Sequence, residues 1–167
     1  MPLIKHGGIV DDPWVMLAAE DPVPASGAVI VPLDRWRAEH EALLARSTPL
    51  GVRLASHQPA SELAGHQGRL AVIALEFPTF RDGRAYSTAR LLRERYGYKG
   101  ELRAVGNVLR DQFLFMLRCG FDAFEVATNE EAAAWKKAIN EFSVWYQPAA
   151  DDRPAAARLR RLARAAE

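Results

Sequence analysis

The chain has 167 residues, 49% of them hydrophobic and 26% charged, with a formal net charge of +1. That length and balance suit one domain with a substantial core, and the near-neutral charge gives no global argument for nucleic acid or an anionic membrane. The single cysteine, Cys119, excludes an intramolecular disulfide and an all-cysteine metal site. No apolar run approaches the ~20 residues needed to span a bilayer. The first residues lack the basic stretch and apolar core of a signal peptide, so a cytoplasmic protein is expected.

Leu3-Ile4-Lys5-His6-Gly7-Gly8-Ile9-Val10 reads as two short strands around a Gly-Gly turn, an N-terminal β-hairpin. A loop rich in Asp, Pro and Ala runs from Glu20 to Gly27. Ala28–Val31 is then a buried-type strand closed by Pro32. Asp34 is placed to cap the next helix, which gathers Trp36, His40, Leu43 and Leu44 on one face. Val52–Ala55 is a further strand, and Ser61–His66 is at best a short helix. Leu70–Leu75 is continuously apolar, the pattern of a strand covered on both faces.

After a loop ending at Asp82-Gly83, a helix aligns Ala85, Ala89, Leu92 and Tyr96, with Gly97 as its stop. Leu102–Val105 is the fourth strand of this alternating series, closed by Gly106-Asn107. The helix that follows aligns Leu109, Phe113, Met116 and Leu117 and ends at Gly120. Phe124–Val126 is the fifth strand. Thr128 and Glu131 form a capping box ahead of a stripe of Trp135, Ala138, Ile139, Phe142 and Tyr146.

The alternation predicts an α/β fold: about five βα units forming a mainly parallel sheet with flanking helices. An open sheet and a partial βα barrel both fit; five units are too few for a closed eight-stranded barrel, so the open sheet is favoured, with a partial barrel completed by a partner chain as the alternative. Residues 1–147 form the expected single domain. Residues 148–167 form a Pro/Ala/Arg-rich basic tail, in which Leu159 and Leu162 allow an amphipathic helix.

In such folds reactive groups collect where strand C-termini lead into helices. The two loops after the strands at Leu70 and Leu102 bring Arg81, Asp82, Arg84, Ser87, Arg90, Asn107, Arg110 and Asp111 to that edge. Arginines beside helix N-termini suit sulfate, phosphate or carboxylate. The same residues are equally consistent with helix caps and ion pairs on a solvated face. Cys119 stands at a helix C-terminus, which disfavours a thiolate, so a buried structural role is expected. His6, His40, His57 and His66 have no metal-ligand spacing; only His57, beside Ser56, falls near the candidate edge. No Gly-x-Gly-x-x-Gly or P-loop marks a nucleotide or flavin site, so no cofactor and no metal are expected. Aromatics fall on core stripes and do not interleave with a basic patch, which counts against nucleic acid.

The stretch from Phe77-Pro78-Thr79-Phe80-Arg81-Asp82-Gly83-Arg84 through Ser87 resembles a known family. So does Gly100-Glu101-Leu102-Arg103-Ala104-Val105-Gly106, continuing through Arg110-Asp111-Gln112 to Arg118-Cys119-Gly120-Phe121-Asp122-Ala123-Phe124. The resemblance is to a bacterial family of unknown function encoded beside the genes for assimilatory sulfite reduction. Its members are commonly described as oxidoreductases involved in sulfite reduction, a description resting largely on gene neighbourhood. The family pattern often carries aspartate where this chain has Asn107, which leaves that position a hydrogen-bonding role in place of a general base.

The resemblance implies an accessory protein of sulfur assimilation that supports electron delivery to, or assembly of, sulfite reductase. Its implied partners are sulfite reductase or its electron donor, with a homodimer as a further option. The alternative is an enzyme acting on an anionic sulfur- or phosphate-containing substrate at the strand ends.

Overall fold

The structure is a computed structural model and describes residues 1–5, 7–128, 134, 135, 138, 142–151 and 153–165. The strands are β1 (Leu3–Lys5), β2 (Gly8–Val10), β3 (Trp14–Met16), β4 (Ala28–Pro32), β5 (Leu50–Leu54), β6 (Val72–Phe77), β7 (Glu101–Gly106) and β8 (Ala123–Glu125). The helices are α1 (Leu33–Leu44), α2 (Arg84–Arg90), α3 (Phe113–Cys119) and α4 (Ala156–Ala165). The strands form one mixed sheet in the order β2-β1-β8-β7-β6-β5-β4-β3. Neighbours from β3 to β8 pair parallel, whereas β1 pairs antiparallel with both β2 and β8.

The α/β class and the N-terminal hairpin are as expected; the regular series of five βα units is not. Trp14–Met16 adds a parallel edge strand that no expected unit contained. It is only three residues long and precedes the Pro- and Ala-rich loop, so periodicity had little to register. Between β5 and β6 the chain makes two 3₁₀ turns, Ala60–Leu63 and Gln67–Arg69, where a regular unit would have a helix. Pro59, Gly65 and Gly68 interrupt that segment and favour short turns.

The connectivity dictates a curl. β2 and β3 lie at opposite edges of the sheet, yet only Asp11, Asp12 and Pro13 separate them in sequence. Laid flat, eight strands would hold those edges about 34 Å apart at ~4.8 Å per strand spacing. The linker from Val10 to Trp14 reaches at most about 14 Å. The sheet therefore bends into a half-barrel.

The outer face carries Val29, Val31, Val52, Leu54, Ile73, Leu75, Phe77, Leu102, Ala104 and Phe124 in one large core. Trp36 and Leu43 of α1, Ala85 and Ala89 of α2, and Phe113 and Met116 of α3 pack in the same cluster. The opposite, inner face has a smaller apolar cluster of Ile30, Val72, Ala74 and Val105, against which Trp14 and Met16 pack.

Several helix ends differ from the expectation. α1 begins at Leu33 with Pro32 as its N-cap; Asp34 falls in its first turn without capping it and accepts hydrogen bonds from Arg37 and Gln58. α2 continues as a π turn, Leu91–Arg95, closed by Tyr96 N–H donating to Leu91 O and followed by Gly97 at φ +63°. Arg93 then fastens three segments. It donates to the carbonyls of Tyr98, Gly100 and Gly120 and pairs with Asp122 at 2.8 Å.

Leu109 precedes a 3₁₀ turn (Arg110–Gln112) and is 38% exposed, whereas Phe113 and Met116 are buried as expected. Glu131 and Ile139 lie outside the described residues. Trp135 and Ala138 are buried, but Phe142 and Tyr146 are exposed and outside any described helix. Within 148–167, α4 leaves Leu159 and Leu162 exposed, and Asp151 pairs with Arg118 of α3 at 2.6 Å.

Candidate functional site

The loops after β6 and β7 meet, as consecutive parallel neighbours must. Asn107 N–H donates to Phe77 O at 2.7 Å, and Gln112 Nε2 donates to Phe80 O at 3.0 Å. Gly106 makes the turn possible, with φ +89° and a would-be Cβ 2.6 Å from Phe77 O.

Asp82 and Arg84 form the best-defined polar group on this edge. The Asp82 carboxylate accepts from Arg84 Nε at 2.9 Å, Arg84 Nη2 at 2.6 Å and the Arg84 backbone N–H at 3.3 Å. Arg84 Nη2 also donates to Ser56 Oγ at 2.9 Å, tying the end of β5 to the start of α2. Hydrogen bonds from Arg84 and then Ser56 hold the Asp82 carboxyl well below the usual carboxylate range. Asp82 thus both satisfies a donor at the helix start and engages the Arg84 guanidinium.

The remaining expected residues are spread around this edge. Arg81 stacks over the exposed Phe80 ring, 5.5 Å from its centroid. Arg90 pairs with Glu94 at 2.8 Å along the same helical segment. Asn107, Arg110 and Asp111 are exposed, and Arg110 has an interaction of its own. His57 is exposed beside the buried Ser56. His40 and His66 contact each other and the Trp36 ring, which gives them a packing role.

Ser87 and Arg90 line a cavity of about 510 Å³ together with Phe115, Arg118, Cys119 and Trp145. Its walls are joined by ring contacts. Tyr86 and Phe115 lie 4.8 Å apart in an edge-on arrangement, and the Arg118 guanidinium sits 4.8 Å over Trp145. Burial, with a smaller contribution from Cys119, pushes the Tyr86 hydroxyl up to about 12. Cys119 is buried, and desolvation raises its thiol pKa, so it is a poor nucleophile. No group of three or more His, Cys, Asp or Glu suited to a metal occurs among the described residues.

Sequence reasoning passed over the charges on the inner face. Ala74 pairs in register with Arg53 on one side and Arg103 on the other, and side chains at paired positions share a face. Arg103 is buried and paired twice over: Asp12 accepts at 2.6 and 3.1 Å, and Glu101 accepts at 2.8 Å. Lys5 completes the group with a 2.8 Å bond to Glu101. Burial alone would lower the Arg103 pKa, but the two carboxylates outweigh it and hold it above the ordinary value.

Arg53 is half-buried near the C-terminal end of β5 and donates to Met16 Sδ at 3.4 Å. Glu76, also half-buried, lies two positions beyond Ala74 on β6. The signal was present: a charge between apolar neighbours within a strand, as in Val52-Arg53-Leu54 and Leu102-Arg103-Ala104, must face somewhere other than the apolar core.

A family model described as "Bacterial protein of unknown function (DUF934)" matches residues 51–156, from β5 to the first residue of α4. No curated protein matches the chain at a significant level. No described helix is long and apolar enough to cross a membrane.

Proposed function

Since the chain belongs to this bacterial family of unknown function, we propose that it is an accessory protein of assimilatory sulfite reduction that works by docking to sulfite reductase or its electron donor. The observation that carries this reading is a group of exposed aromatic side chains around one cavity. Phe115 and Tyr146 border the cavity beside α2 and α3 and are 57% and 87% exposed. Phe142, also exposed, continues the surface by ring contact with Trp145 at 5.6 Å. Aromatic side chains beside an exposed arginine, here Arg90, are the residue types enriched at the cores of protein interfaces. The pairing of Arg84 and Arg90 with neighbouring carboxylates further favours a surface role over an anion cradle formed by the loops.

The test is growth of a gene-deletion strain on sulfate, sulfite or sulfide as sole sulfur source. Sulfide should support growth, while sulfate and sulfite should not. Complementation by Phe115→Ser/Tyr146→Ser should fail although the protein accumulates normally. Parent-like growth of the deletion strain on sulfate overturns the proposal.

A second reading, an enzyme acting on an anionic substrate, is favoured by the half-buried charges at the strand ends. A flavin, haem or iron–sulfur absorbance band in the purified protein would give it redox chemistry.

A further inference from the structure

We infer that the inner mouth of the curled sheet, at the C-terminal ends of β5 and β6, is a binding site for a small organic anion that also carries a hydrogen-bond donor. Arg53 is the anion receptor in this site and Glu76 is the acceptor for the donor. The inference needs no partner protein, so it stands or falls separately from the docking role.

Arg53 and Arg103 differ in what they meet. Both arginines project onto the inner face at the same register level, separated by Ala74 on the intervening strand. Arg103, the more buried of the two, pairs with Asp12 and Glu101. Arg53 meets no carboxylate among the described residues; its contact is a thioether, a weak acceptor. A guanidinium with five donors, partly withdrawn from water, gains most from an oxyanion that it can grip with two parallel bonds. On β7 the inner arginine meets two carboxylates; on β5, at the same level, it meets none among the described residues.

Glu76 gives the site its selectivity. It is half-buried, faces the same side as Arg53 from the next strand, and no cation pairs with it among the described residues. From the strand spacing and the two-residue offset, its Cα lies about 8 Å from that of Arg53. A single small molecule can touch both side chains. An ionised carboxylate only accepts hydrogen bonds and repels a bare anion, so the favoured ligand presents a donor on its second end. α-Hydroxy and α-amino carboxylates have that chemistry. The site lies at the end of the parallel strands at which βα folds place their ligands.

The experiment uses the full chain labelled with ¹⁵N and titrated with glycolate, glycine, acetate and sulfite. Arginine Nε–H signals are followed by NMR and affinities are measured by calorimetry. Glycolate or glycine should shift the Arg53 Nε resonance saturably, and acetate, which lacks the donor, should bind at least fivefold more weakly. Arg53→Gln should weaken binding at least tenfold, and Glu76→Gln should abolish the preference over acetate. The wild-type Nε shift is independent of how the variants fold. No saturable shift with glycolate or glycine overturns the inference, as does a smaller loss in Arg53→Gln. Tighter binding of sulfite than of glycolate or glycine overturns the assigned ligand class.

Discussion

The ion pair between Arg103 and Asp12 should fasten the curl that the short linker imposes, and Arg103→Met tests it. The side chain is 1% exposed and bonds to two carboxylates, Asp12 at 25% and Glu101 at 9% exposure. Replacing it with an apolar group of similar length limits the cavity but strips one cation from both acids. Removing one member of a buried pair costs roughly 3–5 kcal/mol. Asp12 can turn towards water and Glu101 keeps Lys5, so the lower end applies, roughly 3 kcal/mol.

For a chain of this size that corresponds to a fall in Tm of about 6–12 °C. Urea unfolding should show the loss in midpoint with an unchanged slope. Asp12→Asn should cost less, because its site is the more exposed. In hydrogen exchange, both variants should deprotect Trp14–Met16 before β6 and β7, since Asp12 tethers the linker into that edge strand. A loss below about 1 kcal/mol, or unchanged protection at Trp14–Met16, would refute the reasoning. The short linker alone would then be sufficient to close the curl.

Cys119→Ala removes one buried heavy atom and should cost roughly 0.5–1.5 kcal/mol, by analogy with Ile→Val, with function unchanged. Consistent with its raised pKa, the native thiol should react with a disulfide reagent at pH 8 only as fast as the protein opens. Gly106→Ala places a Cβ against the Phe77 carbonyl at positive φ, where neither side can yield, and should destabilise by about 1–3 kcal/mol in thermal unfolding. The pKa of Asp82 is lowered in the folded state, so its contribution is present above the unfolded value near 3.8 and is lost as pH falls towards the depressed folded value. Asp82→Asn should therefore flatten the stability profile below about pH 4; an unchanged acid limb would contradict the pairing with Arg84 and Ser56.

The positions of β6 and β7, the buried faces of α1 and α2, and the stop at Gly120 were legible in the sequence, because each depends on periodicity or backbone freedom within a few residues. The burial of Cys119 followed in the same way from its place at a helix end. The hairpin at Gly7-Gly8 was equally local. Its antiparallel attachment to β8 was not, because strand order depends on which edges meet after collapse. The loops after β6 and β7 were correctly expected to meet, but whether their arginines would face a ligand or a carboxylate depends on side-chain neighbours such as Ser56, far away in sequence.

The inner face shows the division most clearly. The alternation that sends Arg53, Glu76 and Arg103 away from the helices is written in the chain. That this face becomes the inside of a curl, with one arginine neutralised by Asp12 and another left at the mouth, required the sheet to close through a three-residue linker. Local patterns determine which way a side chain points; only the assembled sheet determines what it meets there.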